Sequence, residues 1–307
     1  MAGNMRQRDK QRVSPSSFKL KNRVLPYLYL VPALALLILL MVYPMVTVVR
    51  YSLYDNIIAN PNPVFTGFRH HLRVLGDPEF QNSFFHTLYF TILSVLFHLV
   101  LGLGFAMLLN SKVNGLVRTV FRIFYILPWL FTATVVAITW RLLLNPLGVI
   151  NYILRFFRLI NENAEWFGNS KTALHTLVFV NIWAGYPFFM VSLLAGLQGI
   201  PQDMYEAAII DGTSETQRFI YITIPFLAPI IMSISLLDFI WTTHIFPLVW
   251  MATGGGPGRS TEVLSTYTYK LAFNQYQYSA ASAAAVLILL FSMVLAFFYV
   301  KHQRMRG

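Results

Sequence analysis

Residues 200–229 read IPQDMYEAAIIDGTSETQRFIYITIPFLAP and form the one long polar segment between two strongly apolar stretches. Pro201 suits the first position of a helix, and Asp203 and Glu206 place negative charge in its opening turns, where the helix dipole favours it. Gly212 supplies the left-handed backbone conformation that ends many helices. The pattern therefore predicts a short helix that begins near Pro201 and stops at Gly212.

A second helix is predicted directly after this stop. The first helix ends at Asp211, and Ser214 with Gln217 three residues later has the spacing of a capping box, which satisfies two backbone N–H groups. The second helix then runs through Arg218 towards Pro225. Judged by capping alone, this is also the pattern of an ordinary helical hairpin between two membrane spans.

The composition indicates a membrane protein. Of the 307 residues, 56% are hydrophobic and 11% are charged, and the mean hydropathy is +0.58, whereas soluble domains carry roughly 25% charged residues. The net charge of +11 does not indicate nucleic-acid binding, because the basic residues flank apolar stretches instead of forming a separate basic surface. The chain has no cysteine, which excludes disulfides, thiol nucleophiles and thiolate metal sites.

Six apolar stretches are long enough to cross a bilayer, which requires about 20 residues. The predicted spans are 24–49, 83–109, 120–144, 172–197, 222–250 and 280–300. They form a predicted transmembrane domain, 24–300, between a basic tail at 1–23 and a short tail at 301–307, with the 200–221 loop after the fourth span. The first stretch is longer than the core of a signal peptide and lacks a cleavage site, so we expect a retained span.

The basic residues give a predicted orientation. Of the 23 Lys and Arg residues, 14 lie in the two tails, in the 110–122 loop and at Arg218. Because Lys and Arg concentrate on the cytoplasmic side, both termini and the 200–221 loop are predicted to be cytoplasmic. The three segments on the other side are too short to form a separate enzyme domain.

The 200–229 segment resembles the EAA loop of the membrane subunits of binding-protein-dependent ABC importers. The positions that match in fixed register are Glu206, Ala207, Ala208, Asp211, Gly212, Phe219, Ile222, Ile224 and Pro225. The resemblance extends from Leu30 over nearly the whole chain and is to the carbohydrate-importing branch, in particular to the first of its two membrane subunits. Weaker matching positions include Thr87-Leu88, Gly102-Leu-Gly, Leu127-Pro128, Trp140, Asn145, Asn151, Trp183, Pro187 and Thr253 to Pro257.

The resemblance implies a fold, a site and a set of partners. The fold is all-α and polytopic, with six transmembrane helices in the MetI-like arrangement of type I importer permeases and a cytoplasmic coupling helix. The implied partners are a second permease subunit, two cytoplasmic ATPase subunits that bind ATP and Mg, an extracytoplasmic solute-binding protein and membrane lipid. The implied substrate is a carbohydrate, an oligosaccharide or a sugar derivative, and the implied location is the cytoplasmic (inner) membrane of a prokaryote.

The same resemblance assigns roles in ATPase coupling. Glu206 would pair with a basic residue of the ATPase, Ala207 and Ala208 would let the helix seat closely, and Asp211 with Gly212 would form the turn.

A sugar pathway requires aromatic faces and polar groups that pair with hydroxyls. The candidates in the fourth and fifth spans are Asn181, Trp183, Tyr186, Asp238, Trp241, Thr242 and His244. Asp238 is notable because an ionisable group at membrane depth costs a few kcal/mol and is expected to face a cavity or a partner. Structural alternatives stay open: Asp238 as an ion pair between helices, His244 as a packed neutral imidazole, and the aromatic residues as packing or an interfacial belt.

Small residues predict where helices approach closely. Gly102 and Gly104 lie in the second span, and an alanine-rich run from Ala280 to Ala285 lies in the sixth. Small residues of this kind let the backbones of neighbouring membrane helices come together.

No catalytic motif is present in the sequence. The glycine-rich stretch from Thr253 to Thr261 lacks the glycine-lysine pair of a phosphate-binding loop and is predicted to lie outside. Metalloprotease, nucleophile-elbow and paired-carboxylate patterns are also missing, so the chain is predicted to be no enzyme and to hold no metal, cofactor or nucleic acid. Two other classes stay open: a proton-coupled secondary transporter, which usually has repeated halves and buried carboxylates, and a membrane scaffold that transports nothing.

Overall fold

The structure is a computed structural model that describes residues 27–55, 58, 61–111 and 114–304, without the side chains of 298–300 and 302–304. The predicted tail at 1–23 lies outside the described residues, as does the end of the tail at 301–307. The chain divides into two units, Met1–Arg50 and Tyr51–Gly307, which are described separately.

The described part of the first unit belongs to one long helix, α1, Tyr27–Ser52. Its 26 residues give a length of about 39 Å, enough to cross a hydrocarbon core of about 30 Å. Pro44 has no N–H for the carbonyl of Leu40, and a wider π turn at Ile38–Val42 lies at that position. The helix therefore continues through the proline.

The regular secondary structure of the second unit is helical in its described residues, apart from an isolated antiparallel bridge between Tyr54 and Phe65. Its helices, in chain order, are α2 Arg69–Leu75, α3 Pro78–Asn110, α4 Gly115–Ile126, α5 Ala133–Leu143, α6 Val149–Phe156, α7 Ala173–Gln198, α8 Gln202–Ile210, α9 Glu215–Thr243, α10 Pro247–Ala252, α11 Leu264–Tyr269 and α12 Tyr278–Arg304.

The core of the second unit is the long contact between α3 and α7. Gly102 of α3 is buried, and a Cβ there would lie 2.4 Å from Cβ of Phe189 and 2.9 Å from the backbone nitrogen of Met190. Only glycine fits that crossing. Gly104 makes no such approach to another described helix of this chain, because it is exposed and a Cβ there would meet nothing within 4 Å.

The alanine-rich run of α12 packs as predicted. Its buried members are Ala280, Ala281, Ala283 and Ala284, which share a cluster with Tyr267 and Leu271. The small side chains let α12 lie close to α11.

The third predicted span, 120–144, is not a single straight helix in the structure. The helix α4 passes into a tight 3₁₀ turn at Leu127–Leu130, and α5 then starts at an angle of 99° to it. Pro128 lies inside the turn, and the side chain of Thr132 accepts a hydrogen bond from the backbone N–H of Val135, which caps α5. The described residues contain five helices that could cross a membrane, or six if this bent pair is one span.

The fifth predicted span, 222–250, also differs from the structure. The helix α9 starts earlier, at Glu215, and ends at Thr243. A separate helix, α10, then begins at Pro247, because proline suits the first turn of a helix and not its interior.

The segment between α5 and α7 is organised by Asn151, which is 1% exposed. Its Nδ2 donates to the carbonyls of Asn145, Pro146 and Ala164 at 3.1, 3.3 and 2.9 Å. Its Oδ1 accepts from the backbone N–H of Ala164 and from Nε1 of Trp166 at 3.2 and 3.1 Å. One amide therefore joins both ends of this segment.

The glycine-rich loop after α10 is held by ion pairs. The carboxylate of Glu262 is 4% exposed and lies 3.2 Å from Nζ of Lys270. Arg259 pairs with Glu79 in the first turn of α3, and the hydroxyls of Thr253 and Thr261 are 2.8 Å apart. The ion pairs fix the loop to the start of α3 and to the turn after α11.

Candidate functional site

The predicted coupling loop forms the short helix α8 and a turn. The helix begins at Gln202, with Pro201 at the position before it, and ends at Ile210, followed by Asp211. Gly212 has φ +75°, and a Cβ there would meet nothing within 4 Å. Glycine is therefore required for its backbone conformation and not for lack of space.

The turn is fixed to both helices by hydrogen bonds. Ser214 Oγ accepts from the N–H of Gln217 at 3.3 Å and Gln217 Oε1 accepts from the N–H of Ser214 at 2.8 Å, which confirms the predicted capping box. Thr213 Oγ1 donates to the carbonyl of Ala208 at 2.6 Å, and Arg218 Nη1 donates to the carbonyl of Thr213 at 2.7 Å. The angle between α8 and α9 is thus set by side chains at the turn.

One further contact joins α8 to α9. The hydroxyls of Tyr205 and Thr223 lie 2.8 Å apart. This contact ties the first turn of α8 to the π turn at Phe219–Thr223 of α9.

The surface of α8 has the features of a docking site. Glu206, Ala207 and Asp211 are exposed, and Ala208 is half-buried with its carbonyl used in the turn. Large apolar side chains are also exposed around the loop: Met204, Ile209, Ile210, Ile220 and Tyr221. Exposed apolar groups gathered on a polar segment are typical of a surface that another protein covers.

Three of the seven pathway candidates gather around a residue that the sequence reasoning missed, His98 of α3. Its Nδ1 lies 2.7 Å from Oδ2 of Asp238, and its Nε2 lies 2.9 Å from the backbone carbonyl oxygen of Asn181. The hydroxyl of Thr242 donates to the other carboxylate oxygen of Asp238 at 3.4 Å. Buried side chains from α3, α7 and α9 meet here, with His98 1% and Asp238 8% exposed.

The other four candidates lie among different neighbours. Trp183 packs edge-on against Trp140 at a centroid distance of 5.4 Å, and Tyr186 is buried beside Phe105 at 5.1 Å. Such contacts fit the packing interpretation of these two residues.

Trp241 is 55% exposed, and its ring lies 5.6 Å from that of Phe188, which in turn lies 6.1 Å from Trp129. His244 is also exposed, with Nδ1 2.8 Å from the carbonyl oxygen of Ile240 in its own helix. The exposure of His244 does not fit the alternative in which its imidazole is packed within this chain.

No metal centre is visible in the part of the chain that the structure describes: no three His, Asp or Glu side chains lie close enough together to hold an ion.

The geometry is that of a helical membrane component with a short, largely exposed helix, α8, between two long apolar helices. The profile of the family described as "Binding-protein-dependent transport system inner membrane component" matches residues 98–306. The chain belongs to this family. The permease is thus the membrane component of a binding-protein-dependent transport system, and family membership favours this class over a secondary transporter or a scaffold.

Two curated relatives match nearly the whole permease. The trehalose/maltose transport system permease protein MalF of Thermococcus litoralis is 36% identical over 295 residues, which cover 95% of this chain and 97% of that protein. The sulfoquinovosyl glycerol transport system permease protein SmoG of Agrobacterium fabrum is 31% identical over 284 residues, which cover 92% and 91%.

A solved structure has the same fold. A chain of a bacterial ABC transporter involved in the import of the acidic polysaccharide alginate superimposes with a TM-score of 0.81 at 22% identity, over 94% of this permease and 98% of that chain. The all-α, MetI-like importer fold implied by the sequence is confirmed.

Proposed function

We propose that this permease lines the translocation pathway for a carbohydrate, an oligosaccharide or a sugar derivative, across the cytoplasmic membrane of a prokaryote. The names of its relatives support a sugar, since one is a trehalose/maltose and one a sulfoquinovosyl glycerol transport protein. Both termini and the loop 200–221 face the cytoplasm, which agrees with the excess of Lys and Arg in these segments.

The exposed helix α8 is the observation that carries the proposal. It presents the carboxylate of Glu206 beside apolar side chains, and it leads through a fixed turn into α9, a single helix of 29 residues. A protein that binds α8 and then moves can tilt α9, since a rigid helix moves as one body. Each of two ATPase subunits would bind ATP and Mg and hydrolyse the ATP, while the permease itself performs no chemistry.

The remaining partners follow from the same scheme. A second permease subunit completes the pathway, and an extracytoplasmic solute-binding protein delivers the sugar. One structure of the alginate transporter is in complex with a pentasaccharide-bound periplasmic protein, which supports a delivery step of this kind.

The pathway candidates divide by exposure. Trp241 and His244 present exposed side chains and are proposed to contact sugar directly, the indole by stacking and the imidazole by hydrogen bonds. Asn181, Asp238 and Thr242 are buried and are proposed to position α9. Trp183 and Tyr186 support the wall of the pathway from α7.

Reconstitution tests the function. The permease, its second subunit, the ATPase and the binding protein from the same genome are placed in proteoliposomes, and uptake of radiolabelled maltose, trehalose and maltotriose is measured with ATP hydrolysis. We expect ATP-dependent uptake of at least one sugar, and loss of at least 90% of it in Glu206→Lys and Gly212→Pro, which block docking and the turn.

The matched control is Glu162→Lys, the same charge reversal at an exposed acid of the segment between α5 and α7. It is expected to keep uptake within about twofold of the unmodified permease. Membrane insertion should be unchanged in all three variants. Normal uptake and normal coupling in either loop variant would contradict the role of α8.

A further inference from the structure

The contact between His98 and Asp238 joins three long helices at one point. His98 stands on α3, Asp238 on α9 and the carbonyl of Asn181 on α7, and both ring nitrogens of His98 are used. Among the described residues, His98 is the basic partner of the Asp238 carboxylate. Both ionisable groups lie inside apolar spans, where such groups are costly unless paired.

The number of protons held by the imidazole of His98 and the carboxyl group of Asp238 follows from the geometry of their contact. A backbone carbonyl oxygen only accepts, so Nε2 of His98, 2.9 Å from the carbonyl of Asn181, must carry a hydrogen. The 2.7 Å contact of Nδ1 with Oδ2 of Asp238 then requires one further proton, held by either partner. The pair as a whole is neutral, and removing either side chain leaves the other buried without its partner.

Helix α7 leaves space for the imidazole ring of His98. A Cβ on Gly185 would lie 2.3 Å from Cε1 and Nε2 of His98, so only glycine leaves room for the imidazole. The ring of Phe189, which also belongs to α7, lies 5.8 Å from the ring of His98. The imidazole is therefore held in one place, and Asp238 with it.

The position of Asp238 along α9 links this contact to transport. From Glu215 at the coupling turn, the helix runs about 35 Å to Asp238 at 1.5 Å per residue. Trp241, almost one turn further, presents its exposed ring beside Phe188. A movement that enters α9 at α8 must pass the His98 contact before it reaches that aromatic surface.

We propose that His98 is a positioning residue for coupling: by binding Asp238 it fixes α9 to α3 and α7, so that displacement of α8 moves the three helices together. This role rests on the proposed function of the permease. Without the contact, α9 turns or slides alone and ATP is hydrolysed without matching sugar transport.

The test uses the complete transporter in proteoliposomes and measures the number of ATP molecules hydrolysed per sugar taken up, with maltose, trehalose and maltotriose as the sugars. The central variant is the double His98→Leu/Asp238→Leu, which removes both ionisable groups together and so is expected to fold more readily than either single change, which leaves one of them buried without the other. We expect normal assembly, ATP hydrolysis within about twofold of the unmodified complex, and uptake reduced at least tenfold.

Gly185→Ala gives an independent perturbation, because it keeps both groups and displaces the ring. Like the double variant, it is expected to raise the number of ATP molecules hydrolysed per sugar taken up. The controls are His175→Leu, at an exposed histidine of α7, and Gly104→Ala, at an open position of α3. Both should leave the ratio within about twofold.

Two results would overturn the role of His98. One is a double variant with normal ATP hydrolysis and normal uptake, and the other is a proportional fall of both, which leaves the number of ATP molecules per sugar unchanged and which a purely structural contact would produce. A wild-type complex that hydrolyses ATP but accumulates none of the sugars would instead overturn the carbohydrate function, and with it the role built on it.

Discussion

The crossing of α3 and α7 allows a sharp test at two glycines that stand two residues apart. Replacing Gly102 or Gly104 by alanine adds the same methyl group to the same helix. In isolation each change should stabilise α3 by about 0.5–1 kcal/mol, because glycine is the poorer helix former. Because of packing, the two substitutions are expected to change the stability in opposite directions.

The magnitude follows from the distances. At Gly102 the new Cβ would lie 2.4 Å from Cβ of Phe189, whereas carbon atoms pack at roughly 3.5–4.0 Å. The helices must therefore separate by about 1 Å, and overpacking of this kind costs about 1–3 kcal/mol. The upper part of that range applies because the backbone nitrogen of Met190 also obstructs the site, at 2.9 Å. At Gly104 nothing lies within 4 Å, so only the gain in helix propensity remains.

The assay is thermal unfolding of the purified permease in detergent, followed by the fraction that stays monodisperse after heating. A net loss of about 2 kcal/mol corresponds to a fall in apparent Tm of roughly 4–8 °C for Gly102→Ala, while Gly104→Ala should match or slightly exceed the unmodified protein. Adding Phe189→Ala should not rescue Gly102→Ala, because alanine keeps the obstructing Cβ. Equal stability of the two single variants would refute the packing argument.

Other predictions concern α2, the segment between α5 and α7, and the turn between α8 and α9. Burial lowers the pKa of His70 and His71 from the ordinary value of 6.5, so the unfolded chain binds more protons and the free energy of unfolding should fall as the pH drops below about 6.5. A His70→Gln/His71→Gln variant, unfolded by heating at pH 7.5 and 5.5, should lose part of that pH dependence. An unchanged pH dependence would show that other groups cause it. Asn151→Leu should cost about 2–3 kcal/mol, because it leaves several buried backbone groups without hydrogen-bond partners, while Asn161→Leu at an exposed site should cost less than about 0.5 kcal/mol. Equal melting temperatures of the two variants would contradict the organising role of the Asn151 amide. Ser214→Ala should cost about 1 kcal/mol by removing the cap of α9, seen as faster proteolysis in the loop, and an unchanged cleavage rate would show that the cap does not hold the turn.

The coupling loop was predictable because its signals are local. Pro201, Ser214, Gln217 and Gly212 each act within a few residues, and the structure places α8, the capping box and the positive φ where those signals indicate. The apolar length of most spans was also readable, since the membrane requires long uncharged stretches.

The break in the third span was missed for a physical reason. Counting apolar residues over 120–144 does not detect a bend, because Trp129, Leu130 and Phe131 continue the apolar run through it. The local signals were nevertheless present: Pro128 disfavours a continuing helix, and Thr132 offers a cap for α5.

His98 was missed because its importance depends on residues distant in the chain. Its partner Asp238 is 140 residues away, and the glycine that accommodates its ring stands on a third helix. The one local signal was an ionisable side chain in the middle of an apolar span. The same property distinguishes Asp238 in α9, so an ionisable side chain at membrane depth marks both members of the pair.

The wide turn at Phe219–Thr223 in α9 has a consequence for the direction in which α8 points. A π turn holds one residue more than the α-helical turn it replaces, so everything before it is offset by about 100° around the helix axis and about 1.5 Å along it. Deleting one residue there would leave every side chain of α8 unchanged but would rotate α8 and the turn about the axis of α9. The orientation of the docking surface is therefore encoded by a single inserted residue within the membrane-entering helix, and not by the docking residues themselves.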